Sequence, residues 1–595
     1  MRNPFSSWNK HLLRLLYTRL TMFSRPIGFT LGLLCLLPGL AFANAAFSVD
    51  GVQGKLRDNI EGYLSTLQLS CSAPQWQVDA ALTQAREKTR LALEALGYYR
   101  SRLTFSFKRQ NHCWHIDIKI NPGPPVRITR SDVAIVGPGD NNPGFKKIID
   151  SSGLKVGEVL NQGLYSSLKQ RLKSYAREMG YFDARFTRHT ILIDPYTRSA
   201  RITLIMQSGP RYVFGPTVLH QSVLAPWLVR GYLLYHQGEP YSANLVVQSQ
   251  NALVASGYFD LVQLQSEVDK RHDDQVPMSL TLTAARPYRL ILGAGYNTNI
   301  GPNFNGKLID YRLNRTGHSY TLSTQLSPVQ SQLGFEYKIP LRRPLTNWLN
   351  LASNYQYQHT TTAITRTLTL GGVRTHLLEN GWLRKISLQY LNEYSYSAGQ
   401  SLTSELLIPG IGFSRTRSNR LLYPTRGWSV DATLLGAVDG FVSTVSFAQI
   451  NLSLKGMHPL LGGRLFGRLH LGATAVNVIT QLPSTLRFYT GGDKSIRGYA
   501  YQSLGPTDAS GSVIGGRYLA VGSLEYDHRL VGAYYWGVFY DLGNAFNKIP
   551  FTVYRSAGIG FGWHSPVGPI RIDLAHPFER PGPYFRLSIS IGSRL

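Results

Sequence analysis

The chain has 595 residues, with 62 Lys+Arg against 34 Asp+Glu and a formal net charge of +28, which is length enough for several domains. Such an excess suits a protein among anionic lipids as well as a nucleic-acid binder, but no basic run with interleaved aromatics occurs, so nucleic acid is set aside. Tyr (34), Gly (57) and Trp (9) are plentiful while Cys (3) and Met (6) are scarce, the profile of a β-rich exported chain.

At the N-terminus, Arg14, Arg19 and Arg25 precede an apolar run over 27–37, and small residues follow at Ala43 and Ala45. This order describes a secretory signal peptide over 1–43, cut after Ala43 or Ala45, with Met1 or Met22 as its start. The apolar core is too short for a transmembrane helix. Export leaves Cys71 and Cys113, an even number in an oxidising compartment, and a disulfide is expected. A zinc site drawing on His112, Cys113 and His115 is the alternative, but the two histidines do not share a strand face. No metal and no cofactor are expected.

Next come three repeats. Gly97-Tyr98-Tyr99, Gly180-Tyr181-Phe182 and Gly257-Tyr258-Phe259 recur about 80 residues apart, each after a helix-like stretch (80–96, 164–179, 243–256). Each is followed by two strand-like runs, so the unit reads strand, helix, helix, strand, strand, with Gly closing the second helix. A three-stranded sheet covered on one face leaves edges that accept an extended partner.

After Pro287 the period changes to two. Tyr320, Leu322, Thr324 and Leu326 alternate with Ser319, Thr321, Ser323 and Gln325, and Phe585, Leu587, Ile589 and Ile591 alternate with Arg586, Ser588 and Ser590. Sixteen such segments fit between Tyr288 and Gly592. An exported chain with this pattern is most simply a transmembrane β-barrel, in which closure satisfies every backbone group. A polar connection of about forty residues falls between the eleventh and twelfth strands, on the extracellular side. It carries Gly491-Gly492-Asp493-Lys494-Ser495-Ile496-Arg497-Gly498-Tyr499. Connections of that length are functional or disordered, and its aromatics argue for order.

The repeats, the barrel and the Arg-Gly-Tyr loop together resemble the outer-membrane insertase superfamily that includes BamA and TamA. Its barrel signatures are matched by Tyr423-Pro424-Thr425-Arg426-Gly427-Trp428, Ser523-Leu524-Glu525-Tyr526, Phe539-Tyr540-Asp541-Leu542-Gly543-Asn544 and the run from Ser565 to Asp573. The repeats resemble its POTRA domains, here 46–122, 123–209 and 210–287, ahead of a barrel over 288–595. Three of them resembles the TamA branch. The fold this implies is α+β periplasmic repeats followed by an all-β, sixteen-stranded antiparallel barrel in the bacterial outer membrane.

The resemblance also implies that the loop folds into the lumen. If Leu524, Tyr526, Val538 and Tyr540 face lipid, Glu525 and Asp541 face inward, and Arg497, beside Gly498 and Tyr499, is expected to pair with both as a latch. The function implied is assembly or translocation of outer-membrane β-proteins such as autotransporters. It would work through a lateral seam between the first and last strands, at Gly293, Gly295, Ile589, Ile591 and Gly592. An inner-membrane TamB-like partner, substrate proteins and outer-membrane lipid are the implied partners, with lipid transport a neighbouring role. A two-partner secretion transporter and a passive channel are the alternatives. An enzyme is not expected, since neither a Gly-x-Ser-x-Gly elbow nor a His-Glu-x-x-His helix is present.

Overall fold

The computed structural model of the protein describes residues 46–595 except 111, 398, 421–422, 566–567, 580–583 and 592–595. The expected signal peptide and Gly592 of the expected seam lie outside the described residues.

The first repeat runs β1 (Ala46–Asp50), α1 (Lys55–Leu64), α2 (Gln75–Ala95), β2 (Arg102–Gln110) and β3 (Cys113–Asn121). The second runs β4 (Arg127–Val136), α3 (Pro143–Asp150), α4 (Gln162–Glu178), β5 (Arg185–Asp194) and β6 (Ser199–Gln207). The third runs β7 (Val213–His220), α5 (Pro226–Arg230), α6 (Ala243–Ala255), β8 (Phe259–Ser266) and β9 (Gln275–Ala284). In every sheet the last strand takes the centre, parallel to the first and antiparallel to the second.

Side chains explain that placement. The central strands bury one unbroken apolar face: Trp114, Ile116, Ile118 and Ile120 in β3, Ala200, Ile202, Leu204 and Met206 in β6, Val276, Met278, Leu280 and Leu282 in β9. Helices with apolar residues on one stripe cover them, as Tyr165, Leu168, Leu172 and Ala176 do in α4. α2 begins five residues earlier than the sequence pattern suggests, at Gln75 behind Pro74. Its end is closed by Gly97 at φ 92°, with the Tyr98 amide donating to the Leu93 carbonyl at 3.0 Å, a left-handed residue that favours glycine. The Cys71–Cys113 disulfide ties the segment before α2 to the start of β3, and it consumes the Cys113 thiol that the zinc alternative needed.

Two compact units result, one of the chain up to Arg177 with Asp183–Pro210, the other of Glu178–Phe182 with Arg211–Leu595. The second unit holds the barrel. Its strands open with β10 (Tyr288–Asn297), β11 (Gly301–Asp310), β12 (Ser319–Leu326) and β13 (Gln330–Pro340). Then come β14 (Asn347–His359), β15 (Ala363–Leu377), β16 (Leu383–Ser397) and β17 (Gln400–Ser418). β18 (Gly427–Ala437), β19 (Phe447–Leu460), β20 (Gly463–Val476) and β21 (Tyr518–Arg529) continue the wall. β22 (Tyr534–Phe546), β23 (Tyr554–Ser565), β24 (Gly568–Pro577) and β25 (Arg586–Ile591) finish it. Each pairs antiparallel with its chain neighbour.

Alternation sets the faces. Along β22, Trp536, Val538, Tyr540 and Leu542 are exposed on the outside while Tyr535, Phe539 and Asp541 are buried within. Counting from β10, the long connection (477–517) joins the eleventh strand to the twelfth, as expected. The third repeat is seated on the turn joining β11 to β12: the Ala225 amide donates to the Arg315 carbonyl at 2.7 Å and the Tyr258 hydroxyl to the Gly317 carbonyl at 2.6 Å.

Candidate functional site

The long connection folds on itself before it meets the wall. Phe488 and Gly516 exchange both backbone hydrogen bonds (3.0 and 2.8 Å), as do Thr490 and Leu504 (2.9 and 3.0 Å). Gly491 turns the chain at φ 97°, and a Cβ there would lie 2.2 Å from the Ala500 carbonyl oxygen. Only glycine fits that turn. The buried Arg487 guanidinium donates to the Leu482, Thr480 and Ile514 carbonyls, which satisfies a cation from within the loop.

From that base Arg497 reaches the wall and is 5% exposed. Its guanidinium grips Asp541 with two donors, Nε to Oδ2 at 2.8 Å and Nη2 to Oδ1 at 2.9 Å. Nη1 meets Glu525 at 2.8 Å and Asp573 at 3.2 Å. Phe539 lies beneath, its ring centroid 3.4 Å from Cζ, so the cation also gains a ring face. Arg497 therefore meets both expected partners and a third, Asp573.

The pairing extends along the wall. Arg571 donates to Glu525 at 2.6 Å and Asp527 at 2.5 Å, and also pairs with Asp573. Arg464, opposite Asp527 in the β20–β21 ladder, donates to it at 3.0 Å, and Arg468 lies 4.0 Å from Asp541. Four arginines and four carboxylates thus balance in one buried network across β20, β21, β22 and β24. Losing one member strands a buried opposite charge, which costs about 3–5 kcal/mol. Arg571 and Asp573 were legible as an i, i+2 pair on one strand face around Ile572. That their guanidinium and carboxylate join Arg497 was not, because it needs the curvature of the wall.

Beside Arg497 the loop packs without slack. A Cβ on Gly498 would meet Pro577 N and Ser556 Cβ at 2.9 Å each. The Tyr499 hydroxyl lies 3.1 Å from Glu579, which in turn pairs with Arg555. On the opposite wall, Glu393 of β16 is fully buried and accepts the Ser484 amide at 2.6 Å together with the Thr485 hydroxyl. It is a second anchor that sequence reasoning missed, being one acid on a lumenal strand face with no partner pattern.

The loop also reaches the first strand. Thr298, in the turn after β10, donates its hydroxyl to Asp493 at 2.9 Å, and the Asp493 amide donates to Asn299 Oδ1 at 3.3 Å. The same Thr298 hydroxyl accepts the Ile589 amide of β25 at 3.4 Å, and Arg586 lies 3.5 Å from the Thr298 carbonyl. Asp493 therefore holds one side of the first–last strand boundary while Gly498 and Tyr499 hold the other. The loop straddles it.

That boundary is open. β24 and β25 pair over Ile570–Ala575, but no ladder joins β25 to β10 among the described residues. Across it the Ile589 amide meets Thr298, just beyond the end of β10. Gly293 lies about 16 Å of extended strand before Thr298. Ile591 pairs with Ile570 on the other flank. A Cβ on Gly293 would meet nothing within 4 Å, and one on Gly295 only Asn303 at 3.8 Å. Both are positions of β10 where a side chain would gain little packing.

Residues 262–595 match the Omp85 superfamily domain. The chain belongs to the Omp85 superfamily. Residues 46–122 match POTRA domain TamA domain 1, and 133–208 match the POTRA family described as surface antigen variable number repeat. Among curated relatives, the outer membrane protein assembly factor BamA of Nitratidesulfovibrio vulgaris is 24% identical over 58% of this chain and 45% of its own length. BamA of Neisseria meningitidis serogroup B is 25% identical over 59% and 52%. The chain spans about half the length of these relatives. The crystal structure of Haemophilus ducreyi BamA lacking POTRA domains 1–3 superimposes with a TM-score of 0.64 at 18% identity, over 78% of this chain and 98% of that one. That likeness is one of fold. As an Omp85 protein with POTRA domains, the chain resides in the outer membrane with the POTRA domains in the periplasm.

Proposed function

We propose that this Omp85 chain is an assembly factor that helps β-barrel substrates, autotransporters among them, to insert into or cross the outer membrane through a gated seam between β10 and β25. No covalent bond is made or broken in this reading, and no cofactor enters it. The observation that carries it is the unpaired first–last strand boundary with a loop fastened on both sides. An unpaired edge in a bilayer, where water is scarce, favours a strand that can complete it. A substrate strand laid on β10 gains backbone hydrogen bonds in this way, by β-augmentation.

The loop supplies the gate. Its Arg497 end is held by charge-assisted bonds in a dry site, and its Asp493 end by one hydroxyl and one amide. The weaker end lets go first. In the periplasm, each three-stranded sheet has two edge strands on which a substrate or a TamB-like inner-membrane partner can dock; the TamA-type first domain supports that partner. Passage of lipid with the same partner is a neighbouring role.

The seam is tested by Thr298→Cys with Ile589→Cys. Oxidation should lock the boundary and stop substrate assembly, and reductant should restore it. Wild type carried through the same treatments accounts for Cys71–Cys113. A locked barrel that assembles substrate at the normal rate refutes the gate.

A further inference from the structure

The second unit contains a pocket that neither the loop nor the seam uses. A cavity of about 970 Å³ opens between α5 of the third repeat and the turn joining β13 to β14 (341–346). Arg230, Arg342 and Arg343 line it together with Trp227, Leu234 and Leu345, and no acidic residue does. All three arginines are exposed and form no ion pair among the described residues. Trp227 and Leu234 are 44% and 40% exposed beside them. The walls are fixed, since Gly231 approaches the turn so closely that a Cβ would lie 2.7 Å from Pro344 Cδ.

Its level in the membrane follows from β13. The outward face of that strand runs Leu333, Phe335, Tyr337 towards the periplasmic turn, and the Tyr337 hydroxyl meets His318 at 2.7 Å. An apolar band that ends in a hydrogen-bonded tyrosine marks a membrane–water interface. The pocket begins a few residues beyond it, where lipid phosphates lie. Unpaired cations beside exposed tryptophan and leucine at that level suit a ligand with an anionic head and an apolar body.

We propose that this pocket holds the phosphate of an anionic phospholipid from the periplasmic leaflet, gripped by Arg230, Arg342 and Arg343. Trp227, Leu234 and Leu345 would receive the glycerol and the first methylenes. An acidic protein segment would satisfy the charge alone, whereas the exposed apolar side chains favour lipid. The proposal stands apart from the gated seam.

The test titrates phosphatidylglycerol and phosphatidylethanolamine onto the detergent-purified full chain, with bound lipid read by native mass spectrometry. Wild type should retain phosphatidylglycerol preferentially. Arg230→Ala/Arg342→Ala/Arg343→Ala should weaken that binding on the order of 100-fold, about five-fold for each basic contact. Heat-modified gel migration reports that the variant barrel is folded, and Lys146→Ala/Lys147→Ala/Arg188→Ala on the second repeat is the charge-matched control. Equal retention of both lipids, or equal loss in the control, overturns the proposal. So does displacement of the lipid by an equal concentration of inorganic phosphate, which would mark a phosphate site only. A photo-cross-linker at Leu234 that captures protein and no lipid in cells would assign the pocket to a protein segment instead.

Discussion

Arg497 shows what a single guanidinium does that a point charge cannot. Its fork matches the two oxygens of Asp541, and the remaining donor spans Glu525 and Asp573. Arg497→Ala should therefore weaken loop anchoring by about 3–5 kcal/mol, and Arg497→Lys should recover only a minor part. The readout is the rate at which external protease cleaves 477–517 in folded protein, and an unchanged rate in the alanine variant would sink the anchor. Combining Arg497→Ala with Asp541→Asn should cost less than the sum of the two, because each partner otherwise strands the other. Thr298 is the contrasting case, with one hydroxyl passing between a carboxylate and an amide. Thr298→Val keeps the shape and removes both bonds, a loss of about 1–3 kcal/mol. Hydrogen exchange at the Ile589 amide should quicken while the β20–β21 ladder is unaffected; equal protection in both proteins would remove Thr298 from the seam.

At the scale of elements, the first repeat depends on a covalent link that the others lack. In the chain-entropy view, a bond across a separation of 42 residues contributes about 4 kcal/mol. Cys71→Ser/Cys113→Ser should lower the urea midpoint of the first repeat, followed by fluorescence of Trp114, with no change in barrel heat-modifiability. A midpoint equal to wild type would show the link to be dispensable. Trp114 is a suitable reporter because it is buried next to Cys113 and donates to the Ala73 carbonyl at 3.0 Å.

The same scale shows what could be read in advance. Period-two alternation delimited β12 correctly, and parity alone put Glu525 and Asp541 inside, because each depends only on neighbours in sequence. The Asp493–Thr298 contact spans 195 residues and no pattern links the two. Arg464 and Arg468 face the network only once β20 is paired with β21. At the seam, weak packing can be read from glycine, but the register of two strands that do not pair cannot.

Over the whole molecule, the barrel interior is lopsided. The wall from β20 to β24 is filled by the loop and a balanced set of ions, whereas β10 exposes Leu290 and Leu292 outward and Ile291 inward, with nothing packed over Gly293. Support concentrates on the β25 flank of the unpaired boundary, where β24 carries Arg571 and Asp573, and local opening is expected on the β10 flank, where support is least. A passive channel would need the reverse, a continuous closed wall and a clear lumen. In planar bilayers the wild type should therefore give small, brief conductance events. Releasing one end of the loop with Asp493→Ala should lengthen them, and releasing both ends with Asp493→Ala/Arg497→Ala should produce larger, sustained openings. A large, steady pore in wild type would favour the passive channel. Identical traces in all three proteins would show that the loop does not restrain the barrel, and that the straddling contacts serve only to fill space.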